Sequence, residues 1–211
     1  PAADLRDVLP ATEEKHHACI KPDEFPKLLK DMSAYQGNPL TNAAMQLLAL
    51  TFVRTGELIG AKWEEIDWQR KEWNIPKERM KMKRPHIVPL SRQALDILKD
   101  VHRITGDKTY IFYSLGSKSK HISNGTVLMA LRRIGYQGRM TGHGFRALAS
   151  TILNERGYAA DWIEKQLAHD DSDKIRSAYN RAEYLPERKK MMQEYANILD
   201  GMLTKPKEKI L

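Results

Sequence analysis

Along the chain, segments whose apolar residues return every three to four positions alternate with short segments that read as strands or turns. In "KPDEFPKLLKDMSAY" (21–35), Phe25, Leu28, Leu29 and Met32 recur at helical spacing. "TNAAMQLLALTFV" (41–53) is apolar nearly throughout, which predicts a helix buried on all sides. "TGELIGAKW" predicts a further short helix with Thr55 at its cap. "KEWNIP" (71–76) and "HIVPL" (86–90) have strand character and flank the basic stretch "KERMKMKR", the pattern of a small hairpin or meander with a cationic turn. Ser91 is placed to cap the helix "RQALDILKDVHRIT" and Gly106 to end it, and "YIFY" (110–113) is expected to add a strand.

"SNGTVLMALRRIGY" (123–136) reads as a helix with Gly135 near its end. In "TGHGFRALASTILNERG", Phe145, Leu148, Ala149, Ile152 and Leu153 form one helical face, with Gly157 as the stop. "AADWIEKQLAH" and "PERKKMMQEYANILDG" complete the set, the latter with Pro186 in its first turn and Gly201 after it. The expected class is α+β, mostly α-helical with one small antiparallel β-sheet.

A chain of 211 residues has room for one substantial core. Residues 21–200 are assigned to that domain, 201–211 to a C-terminal tail, and 1–20 to a linker from which something upstream has been cut. The polar start "PAADLRDVLPATEEKHH" has no apolar core of a secretory signal, and no run approaches the ~18 apolar residues of a membrane span. Cys19 is the only cysteine, which argues against a disulfide framework or a thiolate metal site and makes an intracellular location the expectation. The net charge of +8 is compatible with a polyanionic partner, because each phosphate contact releases counterions.

Three features are candidates for chemistry. Arg54 directly follows the apolar run 41–53, where an arginine needs a partner or a task; an ion pair with Glu57, three residues on, is the structural alternative. In "GHGFR", His143 and Arg146 lie three apart at the start of an amphipathic helix. Helix N-termini favour anions, so a cationic pair there points to something negative above it; a structural histidine is the alternative. His169, near a helix end, and Tyr179 form the third feature, with a C-cap and ordinary packing as their alternatives.

Taken in order, these features resemble the tyrosine recombinases of the phage integrase family, in particular the P4-like prophage integrases. The resemblance covers residues 40–185 and rests on "TFVRTGELIGAKWEEID", "RPHIVPLS", "HGFRALASTIL" and "LAHDDSDKIRSAYNRAEYL". It implies that Arg54 and Arg146 are the phosphate-binding arginine pair, that His143 and His169 are the site histidines, and that Tyr179 is the nucleophile, with Tyr184 as the fallback. It assigns the hairpin lysine to Lys81, eight residues before Pro89, with Lys83 as the runner-up. The His169-to-Tyr179 interval is one residue longer than in many members.

The resemblance further implies a tyrosine recombinase catalytic domain that cuts and rejoins DNA through a 3′-phosphotyrosyl intermediate, without metal, ATP or another cofactor. The partners it implies are double-stranded DNA carrying an attachment core site and other integrase subunits, as a tetramer in the active synapse and a monomer for the isolated domain. A host bending factor and an excisionase complete the set, with no membrane partner, in the cytoplasm of a bacterial host at the nucleoid. An arm-binding segment and a core-binding domain are expected to precede this chain. Two other readings of the same residues are a type IB topoisomerase-like enzyme and a non-catalytic DNA-binding regulator.

Overall fold

The computed structural model describes residues 18–117, 119–169 and 183–204. The apolar repeat of the first segment folds as α1 (Phe25–Ser33), and its four periodic residues are all buried. Asn38 caps the next helix, α2 (Pro39–Thr51), by accepting from the amides of Leu40 and Thr41. Ten of the thirteen residues of α2 are buried, so it is the pillar on which the other helices pack. It ends at Phe52, which takes a left-handed conformation (φ 41°) and stacks edge-on against Tyr195 at 5.4 Å.

The short helix α3 (Thr55–Ile59) is capped by Arg54, not by Thr55 as expected, because the carboxylate of Glu57 accepts the Arg54 amide at 2.8 Å. Three strands follow in a meander of order β1-β2-β3: β1 (Ile66–Asp67), β2 (Glu72–Ile75) and β3 (His86–Pro89). The register pairs Trp73 with Ile66 and Val88, and Ile75 with His86. The basic connection between β2 and β3 is a wide loop. A 3₁₀ turn (Lys77–Arg79) leads to Met80, which is buried, and leaves Lys81–Arg84 outside. Arg79 pins this loop to the rest of the domain through the Glu65 carboxylate and the Glu57 carbonyl.

Ser91 caps α4 (Arg92–Thr105) through the Ala94 amide, and Gly106 follows its last residue. "YIFY" is not a strand: Tyr110 and Tyr113 make isolated bridges to Lys62 and His121, while the adjacent Ile111 and Phe112 both enter the core. Two neighbouring inward side chains are incompatible with the alternation of a half-buried strand. Next come α5 (Asn124–Arg133), α6 (Gly142–Glu155), α7 (Ala160–Gln166) and α8 (Leu185–Thr204). The last of these continues through Gly201, where a stop was expected. Burial of Leu199 and packing of Met202 offset the ~1 kcal/mol a helical glycine costs. Among the described residues no helix is long and apolar enough to cross a membrane.

A buried polar junction joins the sheet to the last two helices. Arg188 of α8 is fully buried and donates to the Gln166 side chain (2.7 Å) and to the carbonyls of Ile87 (2.5 Å) and Glu183 (3.2 Å). His86 Nε2 lies 3.2 Å from the Gln166 carbonyl; burial first, then the Arg188 charge, push its pKa down to about 3. The folded state therefore keeps His86 neutral where the unfolded chain takes up a proton. Its contribution is whole above about pH 6.5 and erodes as the pH falls towards about 3. Denaturant unfolding across this range is expected to show a slope of up to about 1.4 kcal/mol per pH unit from this one group. His86→Gln should flatten that part of the slope, and an unchanged slope would refute it.

Candidate active site

The site forms where the C-terminal ends of α2 and α7 meet the first turns of α3 and α6. Helix C-termini carry carbonyls without intrahelical partners and a partial negative charge, so they attract guanidinium groups. Arg146, on the second turn of α6 and only 3% exposed, donates to the carbonyls of Phe52 (2.8 Å) and Leu167 (2.6 Å). Arg54 donates to the Ala168 carbonyl (3.1 Å) and to Glu57 (2.9 Å). The ion pair with Glu57 is thus real, and it holds the arginine in place: the buried carboxylate bonds both the Arg54 amide and its guanidinium.

These two cations lie close enough that burial first, and then the charge of Arg54, push the Arg146 pKa down to about 10. Arg146 remains charged at neutral pH, and among the described residues its buried Nε has no acceptor. A buried guanidinium N–H without an acceptor is costly unless something completes it.

His169 lies directly after α7 and the left-handed Ala168 (φ 48°). Its Nε2 is 3.1 Å from Arg146 Nη2 and its Nδ1 is 2.7 Å from Glu164 Oε2. The structure therefore brings Arg54, Arg146 and His169 into one bonded group. His143 is exposed on the first turn of α6, one turn before Arg146, and lines a depression of about 270 Å³ with Thr55, Gly56 and Asn124. The two glycines beside it allow close packing. A Cβ on Gly142 would lie 2.0 Å from Thr55 Oγ1, and one on Gly144 would lie 2.9 Å from the Ala18 carbonyl. Lys81 and Lys83 are both exposed on the β2–β3 loop, and among the described residues the arginine cluster's bonds do not include them. Tyr179 lies outside the described residues. Tyr184 stands at the head of α8, its carbonyl accepting from the Arg188 amide at 2.8 Å.

A model of the phage integrase family matches residues 19–185. The chain belongs to the phage integrase family. It is 40% identical to the integrase of Enterobacteria phage P4 over 95% of its length, and 43% identical to the prophage integrase IntZ of Escherichia coli (strain K12) over 96%. It spans about half the length of these relatives, 49% and 50% respectively. Among solved structures, it superposes on a lambda integrase dimer bound to a COC′ core site with a TM-score of 0.60. That match is 20% identical and covers 84% of this chain and 64% of that one. The XerA recombinase gives 0.57 at 17% identity, over 95% and 68%. The fold of this family member is therefore that of the tyrosine recombinase catalytic domain.

The sequence did not single out Glu164, Gln166 or Arg188, which hold the site's helix ends together. Arg188 carried a readable signal, since it shares a helical stripe with Met191, Met192, Tyr195 and Leu199 and so places a cation on the apolar face. Arg146→Lys is expected to destabilise this integrase-family chain by roughly 1–3 kcal/mol, because an ammonium cannot span the Phe52 and Leu167 carbonyls as a planar fork does. A lowered urea midpoint at unchanged m would show it, and a midpoint equal to the parent's would refute it.

Proposed function

We propose that this chain is the catalytic portion of a site-specific DNA recombinase that integrates or excises a prophage or genomic island. The observation that carries the reading is the Arg54–Arg146–His169 group: two cations and an imidazole gathered on helix ends, with one buried N–H unmatched. A phosphodiester supplies the missing acceptor. The arginines hold its non-bridging oxygens and neutralise the charge that builds on the pentacoordinate phosphorus. His169 donates a further hydrogen bond.

In this scheme the Tyr179 oxygen attacks phosphorus as the bond to the 5′ oxygen breaks. His143 helps to accept the phenol proton, and Lys81, on its exposed loop, protonates the departing 5′ oxygen. The product is a 3′-phosphotyrosine and a free 5′-hydroxyl. A 5′-hydroxyl from a partner strand reverses the step and seals the exchanged strand, so the bond energy is retained and neither ATP nor metal enters the scheme. The named relatives are integrases, which favours strand transfer over topoisomerase-like relaxation or DNA binding without cleavage. The partners follow the same reading: an attachment core site, further integrase subunits as in the dimeric lambda complex, a host bending factor and an excisionase. Action at the nucleoid of a bacterial host belongs to it as well.

Nicked duplexes carrying the junction sequences of the element that encodes the protein are expected to trap a covalent protein–DNA band under denaturing conditions. Peptide mapping should place the bond on Tyr179, and Tyr179→Phe should abolish it. A band that survives this substitution would remove Tyr179 from the role, with Tyr184 tested next. Lys81→Ala should slow cleavage by about 10²–10⁴-fold. Substituting sulfur for the bridging 5′ oxygen should restore the rate, because a thiolate leaves without a proton. Failure of the sulfur substrate to rescue Lys81→Ala would move the general acid elsewhere, Lys83 being the next candidate.

A further inference from the structure

Glu164 has no part in the scheme above, yet its carboxylate belongs to the same bonded group. Arginine only donates, so the His169 Nε2 that faces Arg146 Nη2 at 3.1 Å carries no proton. The ring proton must then be on Nδ1, donated to Glu164 Oε2 at 2.7 Å. The opposite tautomer would set a lone pair on Nδ1 against the carboxylate. In this state His169 cannot donate to anything from Nε2. Donation to a phosphate oxygen requires a second ring proton while Nδ1–H stays on Glu164, which makes the ring an imidazolium.

The charges around the ring favour that change. Glu164 faces it from α7 and Arg146 from α6, while Arg54 bonds the neighbouring Ala168 carbonyl with Glu57 buried behind it. Two cations and two anions thus balance before DNA arrives, and an added phosphate leaves the site short of one positive charge.

We propose that Glu164 is a positioning residue that fixes His169 as the Nδ1–H tautomer in the free protein and holds it as an imidazolium once the phosphate binds, the added proton coming from solvent. This rests on the reading that His169 donates to the scissile phosphate. A merely structural role would be slight. Both side chains are about half exposed (42% and 51%), and an exposed ion pair contributes little to stability. The His169 amide also bonds the Glu164 carbonyl at 3.2 Å, a contact that survives any change of the side chain.

The test pairs a spectroscopic readout with kinetics. Long-range ¹H–¹⁵N correlation on the histidine-labelled chain, with His169→Ala identifying the resonance, should show Nδ1–H in the parent and a tautomer mixture in Glu164→Ala. Single-turnover adduct formation on saturating nicked duplex should fall roughly tenfold to a hundredfold in Glu164→Gln, the size of one charge-assisted hydrogen bond. Duplex affinity should stay at the parent level, and the deficit should shrink as the pH is lowered. An Nε2–H tautomer in the parent, or a Glu164→Gln protein that cleaves at the parent rate, would overturn the proposal. A parent that forms no adduct would sink the recombinase reading and the imidazolium step with it, and the tautomer measurement would then decide the free-protein half of the Glu164 assignment by itself.

Discussion

Arg146 bonds the carbonyl of Phe52 at the end of α2 and that of Leu167 at the end of α7, and the positions of the other site residues follow from this double attachment. Two helix C-termini directed at each other would repel. A guanidinium between them supplies donors to both sets of orphan carbonyls and opposes both dipoles, an effect of about 0.3–1 kcal/mol per end and up to ~2 when partly buried. With α2 and α7 joined, Ala168 presents its carbonyl to Arg54 and the backbone turns left-handed to place His169 against Arg146. The cation that holds the helices together is therefore the one that, in the proposed scheme, faces the phosphate.

This dual use explains the acidic residues around the site. Glu57 sits below the arginines and Glu164 beside them, and each fixes one group while lowering the net charge. The site is held at low net charge until an anion enters. Only side chains with several fixed donors can satisfy carbonyls and still present an edge, which is why arginine rather than lysine occupies positions 54 and 146. The exposed basic loop is organised differently. Arg79 and Met80 anchor its root, and the lysines beyond them are exposed.

Much of this was legible in the sequence, for identifiable reasons. The periodicity of Phe25–Met32 and Phe145–Leu153 is local and strong, and Ser91, Gly135 and Gly157 are punctuation the backbone itself requires. Arg54, Arg146 and His169, singled out in the sequence, are brought together by the fold, whereas His143 lies one turn away. Features that depend on distant partners were not legible. Two residues of β1 are too few to show alternation, and the apolar run at Tyr110–Tyr113 was filled by core packing. Helix α8 ran past Gly201 because tertiary burial outweighed a local stop signal. Gln166 and Arg188 act through contacts 22 residues apart in sequence, and Arg188 reaches Ile87 from 101 residues away.

The buried Arg188 has a consequence for how the domain comes apart. Its removal from the junction would leave the buried Gln166 side chain and the part-buried carbonyls of Ile87 and Glu183 without their donor. The first turn of the last helix is therefore fastened to the sheet and to α7. Its release also frees Gln166 at the foot of α7, whose side-chain amide donates to the Thr51 carbonyl at 3.4 Å. In hydrogen-exchange terms, the first turn of α8, β3 and the helix ends that carry the arginine cluster are expected to open as one cooperative unit.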